Sequence, residues 1–156
     1  MTDTAATPLI NFDDAWGRLE HTVKSLDEHQ LTGVRDPAGW AAKDHLIHLA
    51  KWEQALVASV DGIPRHQALG IDPATDGSED WDGINAQVFR ATRDRALDDV
   101  LATLRATHAA TRARLAEAVK ESEPSGAAAA LLKDVPGYTE HYDQHRGWIL
   151  ALVGRD

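Results

Sequence analysis

Apolar residues recur along this chain at alternating spacings of four and three, the seam of a helix that buries one face. Phe12, Trp16, Leu19, Val23 and Leu26 set the first such block. Asn11 stands before it as a candidate N-cap, and Asp13 and Asp14 suit the positive end of a helix dipole. A second block, about residues 41–60, carries Leu46, Leu49, Leu56, Val57 and Val60 on one face and stops at Asp61-Gly62-Ile63-Pro64. At 100° per residue, Trp52 and His45 share that face and His48 lies at its edge. Glu53 also falls there, where a carboxylate needs a partner. A third block opens near Trp81 and continues through Leu97, Leu101, Leu104, His108, Thr111, Leu115 and Val119. Its apolar phase shifts between Arg93 and Ala96, which predicts a break or bend. The fourth block, about 127–153, buries Leu131, Val135, Tyr138, Tyr142, Ile149 and Val153, with His141, His145 and Trp148 on one flank. Pro136 lies inside it and predicts a kink one turn before the histidines.

Between the blocks, residues 31–39 carry Gly33, Pro37 and Gly39 and read as a loop. Residues 65–80 are polar, with Gly70, Pro73 and Gly77, and are too long for a simple bundle turn. They read as a functional, lid-like loop or as a crossover connection. No stretch alternates like a strand and nothing repeats. The pattern predicts an all-α fold, a four-helix bundle with a bend in its third block and a long loop before it. At 156 residues it reads as one domain, 1–156, large enough to bury a core.

The formal charge of -9, with no basic stripe to offset it, argues against nucleic acid and against an anionic membrane surface. No apolar run approaches the roughly 20 residues that span a bilayer. The opening Met1-Thr2-Asp3-Thr4-Ala5-Ala6-Thr7-Pro8 has neither a basic nor an apolar leader region, so a soluble, cytoplasmic protein is expected. The absence of cysteine excludes disulfides, thiolate-bound zinc, iron–sulfur clusters and a thiol nucleophile of the chain's own.

Glu140-His141-Tyr142-Asp143-Gln144-His145 holds two histidines at helical i and i+4, so both imidazoles can face one atom. A second histidine-bearing helix, Trp40 to Glu53, carries His45 and His48. Side by side, the two helices can converge three imidazoles on one divalent metal and leave coordination positions open. The ordinary alternatives are a solvated pair at His141 and His145 and a half-buried, carbonyl-bonded His48. His45 reads as an interior or outer-sphere histidine. His108, inward in its heptad, reads either as a proton-transfer group or as a core residue with a water partner. Glu53 and Asp44 are candidates to orient ligand imidazoles through the second ring nitrogen, with pairing inside the helix as the plainer role. Tyr138, Tyr142, Trp52 and Trp148 read as core aromatics, Trp40 and Trp81 as packing anchors, and His21, His29 and His66 as solvated.

Three motifs taken in order resemble the DinB-like superfamily: Asp44-His45-Leu46-Ile47-His48-Leu49-Ala50-Lys51-Trp52-Glu53 after Trp40, Trp81 through Phe89, and Gly137 through Ile149. That superfamily includes the N-terminal domain of mycothiol-dependent maleylpyruvate isomerases and the ClbS/DfsB type of self-protection proteins. The resemblance implies a four-helix bundle with an unusual connection order. It also implies one divalent metal, zinc or nickel, on His48, His141 and His145. It is the resemblance that selects His48 over His45, whose position is usually apolar in such sequences. Some relatives carry Glu where His141 stands, and ClbS-like proteins usually lack the final histidine. Asn85 resembles a family-typical asparagine expected to fix the start of the third helix by hydrogen bonding.

The expected function is a thiol-dependent S-transferase or isomerase. The metal would activate a low-molecular-weight thiol, such as mycothiol or bacillithiol, for attack on a small electrophilic substrate, with His108 or His45 relaying a proton. The alternatives are a ClbS/DfsB-like hydrolase or sequestering protein for a reactive natural product, and a non-catalytic bundle that binds a ligand. In that last reading the bundle binds a ligand or forms a homodimer, the acidic arm 72–82 serving such contacts or, more simply, being a solvated loop.

Overall fold

A computed structural model describes residues 6–155; the opening residues Met1 to Ala5, read above for a leader, and Asp156 lie outside the described residues. The described residues are helical, with no named strand and one isolated antiparallel bridge between Arg35 and Ala41. Helix α1 runs Thr7–Lys24, α2 Glu28–Thr32, α3 Ala42–Val60, α4 Arg65–Leu69, α5 Trp81–Thr92, α6 Leu97–Ala118 and α7 Gly126–Leu152.

Several boundaries differ from expectation for local reasons. Helix α1 begins at Thr7, a turn before its apolar seam, because Pro8 suits a first turn whose N–H groups have no intrahelical partner. Asn11 is therefore inside the helix and caps nothing. Asp13 pairs with Arg112 of α6 at 2.6 Å rather than serving the helix dipole. The 31–39 loop is invaded by α2, which is held by a capping box: Asp27 accepts from the Gln30 N–H at 2.8 Å and Gln30 accepts from the Asp27 N–H at 3.0 Å. The 65–80 segment holds α4 and a short 3-10 turn, Pro73–Thr75, rather than open loop. Gly70, at φ +69°, ends α4 in the left-handed conformation that glycine adopts without a Cβ penalty. The third block is broken into α5 and α6 between Thr92 and Leu97, and Lys43 Nζ ties that junction to α3 through the Arg93 and Arg95 carbonyls. Pro136 sits inside α7, which continues on both sides of it.

Helices α1, α3, α6 and α7 form the bundle. Both α1 and α3 pack on α6 and α7, so the two consecutive long helices face each other across the bundle, an unusual order of connection. Phe12, Leu19, Leu46, Leu104, Leu115, Leu131 and Ile149 are buried in the shared core. A smaller satellite core of Ala55, Leu69, Ile84 and Val88 docks α4 and α5 on the far end of α3. Bidentate pairs stitch the surface: Arg18 to Asp143, Arg112 to Asp13, and Arg114 to Asp61.

Glu53 has no solvent exposure and finds its partner in the core. The Tyr142 hydroxyl donates to Glu53 Oε1 at 2.7 Å, and His108 Nδ1 lies 3.1 Å from the same hydroxyl. His108 stacks on Trp16, with ring centroids 3.9 Å apart and planes 5° from parallel. Glu53 Oε2 has no partner, and burial pushes the Glu53 carboxyl up to about 7. Its ordinary value is 4.5, so between those two values the folded chain holds a proton that the unfolded chain has released. Stability from this group is therefore present below pH 4.5 and lost as pH rises towards 7. In chemical denaturation, wild type minus Glu53→Gln should fall by about 3 kcal/mol between pH 4.5 and pH 8. A difference that stays flat over that range places the Glu53 proton elsewhere.

Candidate metal centre

Helix α3 delivers His48, and α7 delivers His141 and His145 one turn apart. One ring nitrogen from each lies within 4.8 Å of the other two. Ring centroids are 4.6 Å apart for His48 and His145, 4.5 Å for His141 and His145, and 5.3 Å for His48 and His141. His48 and His145 are buried and His141 is half-buried. Nδ1 of His48 is buried without a hydrogen-bond partner. Burial depresses all three rings, His48 to about 3 and His141 to about 4, and His145 well below the usual histidine range; neighbouring rings depress His48 and His145 further. Three neutral imidazoles with lone pairs gathered in one place form a donor set for a borderline divalent cation. An orphaned buried nitrogen costs about 1–3 kcal/mol, a cost that a bound cation removes. The residues fit the metal.

His45 joins the cluster from one turn before His48. Its Nδ1 is 2.9 Å from Nδ1 of His145, which leaves Nε2 of His145 as the free donor. Burial lowers His45 as well. His108 is not brought to the site: it faces Phe12, Trp16 and Tyr142 inside the bundle and lines neither of the clefts described below. Asp44 and Glu53 do not orient ligand imidazoles either. Asp44 Oδ2 accepts from the Ala41 N–H at 2.8 Å and so closes the start of α3, while Glu53 bonds Tyr142.

Two clefts of about 910 and 700 Å³ adjoin at His48 and His141, and His145 lines the second. Trp52, Trp81 and Tyr138 line the first, and Trp40, His45 and Trp148 the second; His48, His141, Asn85 and Gln144 line both. Trp81 and Trp148, expected as an anchor and a core residue, are 51% and 49% exposed at these clefts. His66, expected to be solvated, pairs through Nδ1 with Asp76 at 2.5 Å. Asn85 does not fix the start of α5. Asp80 does, accepting from the Gly83 N–H at 3.1 Å, whereas Asn85 Oδ1 accepts from the Trp52 indole N–H at 3.0 Å. Sequence periodicity overlooks that contact because it joins helices across a 33-residue separation. The usable signal was the pairing requirement of a half-buried indole N–H.

A helical bundle with a buried three-histidine cluster at the edge of two clefts defines the class. The DinB superfamily family model matches residues 11–149, nearly the full length of the chain, and this chain belongs to that superfamily. No curated protein and no solved structure matches it. No helix among the described residues is long and apolar enough to cross a membrane.

Zinc titration should raise the melting temperature of the wild type, as linkage requires. Alanine at His48, His141 or His145 should weaken zinc binding by at least about a hundredfold, whereas His108→Gln should leave it within about threefold. Equal zinc affinity across all four variants removes the cluster as the binding site.

Proposed function

We propose that this chain binds one divalent ion, zinc or nickel, on His48, His141 and His145, and transfers a low-molecular-weight thiol to a small electrophile. The supporting observation is the cluster itself: three neutral nitrogen donors, two buried and one half-buried, where two clefts adjoin, in a chain that has no cysteine. When bound, the ion supplies Lewis acidity that lowers the pKa of a thiol or water. Two clefts meeting at one wall give separate room for a thiol and for the molecule it attacks, held in contact by the shared wall.

The chain's own residues do the positioning. His45 holds the His145 ring in one orientation, with Nδ1 engaged and Nε2 turned to the cluster. His45 also lines the second cleft; with Nδ1 accepting from His145, its neutral ring carries its hydrogen on Nε2 as a hydrogen-bond donor, and the thiol proton leaves to water. As the S–C bond forms, the electron pair displaced from the electrophile leaves with the departing group, or takes up a proton from water where addition precedes isomerisation. Trp40, tilted against both His45 and His48, covers the pair from the chain segment before α3.

The cobalt(II) form is the direct test. Titration with a small thiol such as N-acetylcysteine should produce a sulfur-to-metal charge-transfer band, and His45→Phe should weaken cobalt binding by about ten- to a hundredfold. Stoichiometric cobalt with no thiol-dependent band overturns the thiol assignment while leaving the metal centre.

A further inference from the structure

Asn85 stands beside His48 and His141 in the wall common to both clefts. The satellite core puts it there by seating Ile84 and Val88 of α5 against Ala55 of α3. A carboxamide has an end that only accepts and an end that only donates, and its orientation is decided by its partners. The Trp52 indole N–H can only donate, and it lies 3.0 Å from Asn85 Oδ1. The oxygen is thereby engaged. The Nδ2 group, with its two hydrogens, has no protein partner among the described residues and belongs to the cleft wall.

Opposite the histidines, with Glu140 and Gln144 exposed on α7, the rings of Trp52, Trp81 and Tyr138 supply the apolar lining of the first cleft. Tyr138 has its hydroxyl on the Trp52 carbonyl at 2.5 Å, and Trp52 has its N–H on Asn85, so both offer ring faces. Trp81 remains 51% exposed, with the Arg65 guanidinium 5.3 Å from its ring centroid. Arg65 itself is engaged by the Thr75 and Ser78 carbonyls. Glu140 lines the first cleft and Asp82 the second, so a carboxylate ligand would meet like charge. A neutral oxygen meets none.

We infer that the first cleft takes a planar, uncharged carbonyl compound, its oxygen accepting from Asn85 Nδ2 and its apolar body lying along Trp52 and Trp81. That this compound is the electrophile rests on the function proposed above; the subsite itself requires neither thiol nor metal. Asn85 thus becomes the specificity-determining residue of the cleft. It distinguishes a carbonyl from a hydrocarbon of the same shape, because a polar wall rejects a ligand that leaves its donors unpaired.

Acetophenone and α-methylstyrene differ only in C=O against C=CH2 and serve as the probes. Their dissociation constants would be measured on the full chain, without metal, from the tryptophan indole resonances of the 15N-labelled protein. The comparison is made between variants, which cancels the difference in hydrophobicity between the probes. Asn85→Asp keeps an acceptor for Trp52 and replaces the donors, while Asn85→Leu removes both. Each should weaken acetophenone relative to α-methylstyrene by about fivefold, with α-methylstyrene itself unchanged. Should the leucine variant not fold, the aspartate variant, in which the Trp52 indole resonance reports the retained bond, decides alone. A ratio that does not move in Asn85→Asp, or probes that leave the Trp52 and Trp81 resonances of the wild type untouched, overturns the inference. Zinc titration of the same samples separates the two claims. A shifted ratio without zinc binding keeps the subsite and removes the metal centre, and zinc binding with an unmoved ratio does the reverse.

Discussion

Everything in this molecule depends on how α3 meets α7. Two hydrogen bonds on successive turns of α7 set their register: Tyr138 to the Trp52 carbonyl at 2.5 Å, and Tyr142 to Glu53 at 2.7 Å. Residues 138 and 142 make one stripe of α7; 141 and 145 make the adjacent one. The tyrosine stripe locks the helix pair, and the same lock brings the histidine stripe opposite His48. Both acceptors lie within about one turn of each other on α3, so a slip of either helix breaks both bonds at once. Such a slip would strand a carboxyl group in the core with no partner, which is among the costlier defects a fold can carry. Register is specified by this polar pair more sharply than by apolar contacts, which tolerate small displacements.

The electrostatics of the two stripes are opposed in sign and alike in cause. Burial pushes Glu53 up towards neutrality as an acid and pushes the histidines down towards neutrality as bases. The two stripes thus hold almost no net charge, and the acidic balance of the chain, formally -9 with Glu53 counted as ionised, lies outside them. A cation entering the histidine cluster meets neutral lone pairs and an acidic exterior, and it displaces no proton from the rings. That combination favours a divalent ion over an anion at the same place. Under the proposed function the His45 contact would add to it. A ring already held by a neighbour's Nδ1 needs no rearrangement when the ion arrives, and preorganisation of this kind is what outer-sphere partners contribute.

The long helices were legible because each buries a seam at regular spacing, and the histidine pair on α7 was legible because i and i+4 share a face. What escaped was short or contingent. Helix α4 has a single buried anchor, Leu69, which makes no period to read. Helix α2 announces itself through Asp27 and Gln30, a capping box hidden by the glycines and proline that follow. His45 and His48 are three residues apart and lie on neighbouring lines of one helix, so a helical wheel cannot choose between them. The structure shows why the choice was ill-posed: both rings reach the cluster, His48 with a nitrogen near those of His141 and His145, and His45 against Nδ1 of His145. Trp81 and Trp148 were misjudged because a wheel finds the seam of a helix but not where the bundle opens into a cleft.

His108 shows how an inward polar residue becomes structural. With Glu53 ionised, the Tyr142 proton lies towards the carboxylate and His108 must donate through Nδ1 to the tyrosine oxygen. With Glu53 protonated, the carboxyl has a proton of its own, and Tyr142 is free to donate to His108 instead. The chain of three accepts either state without moving a heavy atom, because a hydroxyl both gives and takes. Trp16 and Phe12 hold the imidazole between them and close it off from the clefts. A histidine thus enclosed, with its one cross-helix bond aimed away from the metal donors, ties α6 to α7 and fixes Tyr142 from the far side. The catalytic reading of His108 rested on its inward position alone. In a bundle, inward has two meanings, towards the core and towards the cleft, and here Tyr142 stands between them.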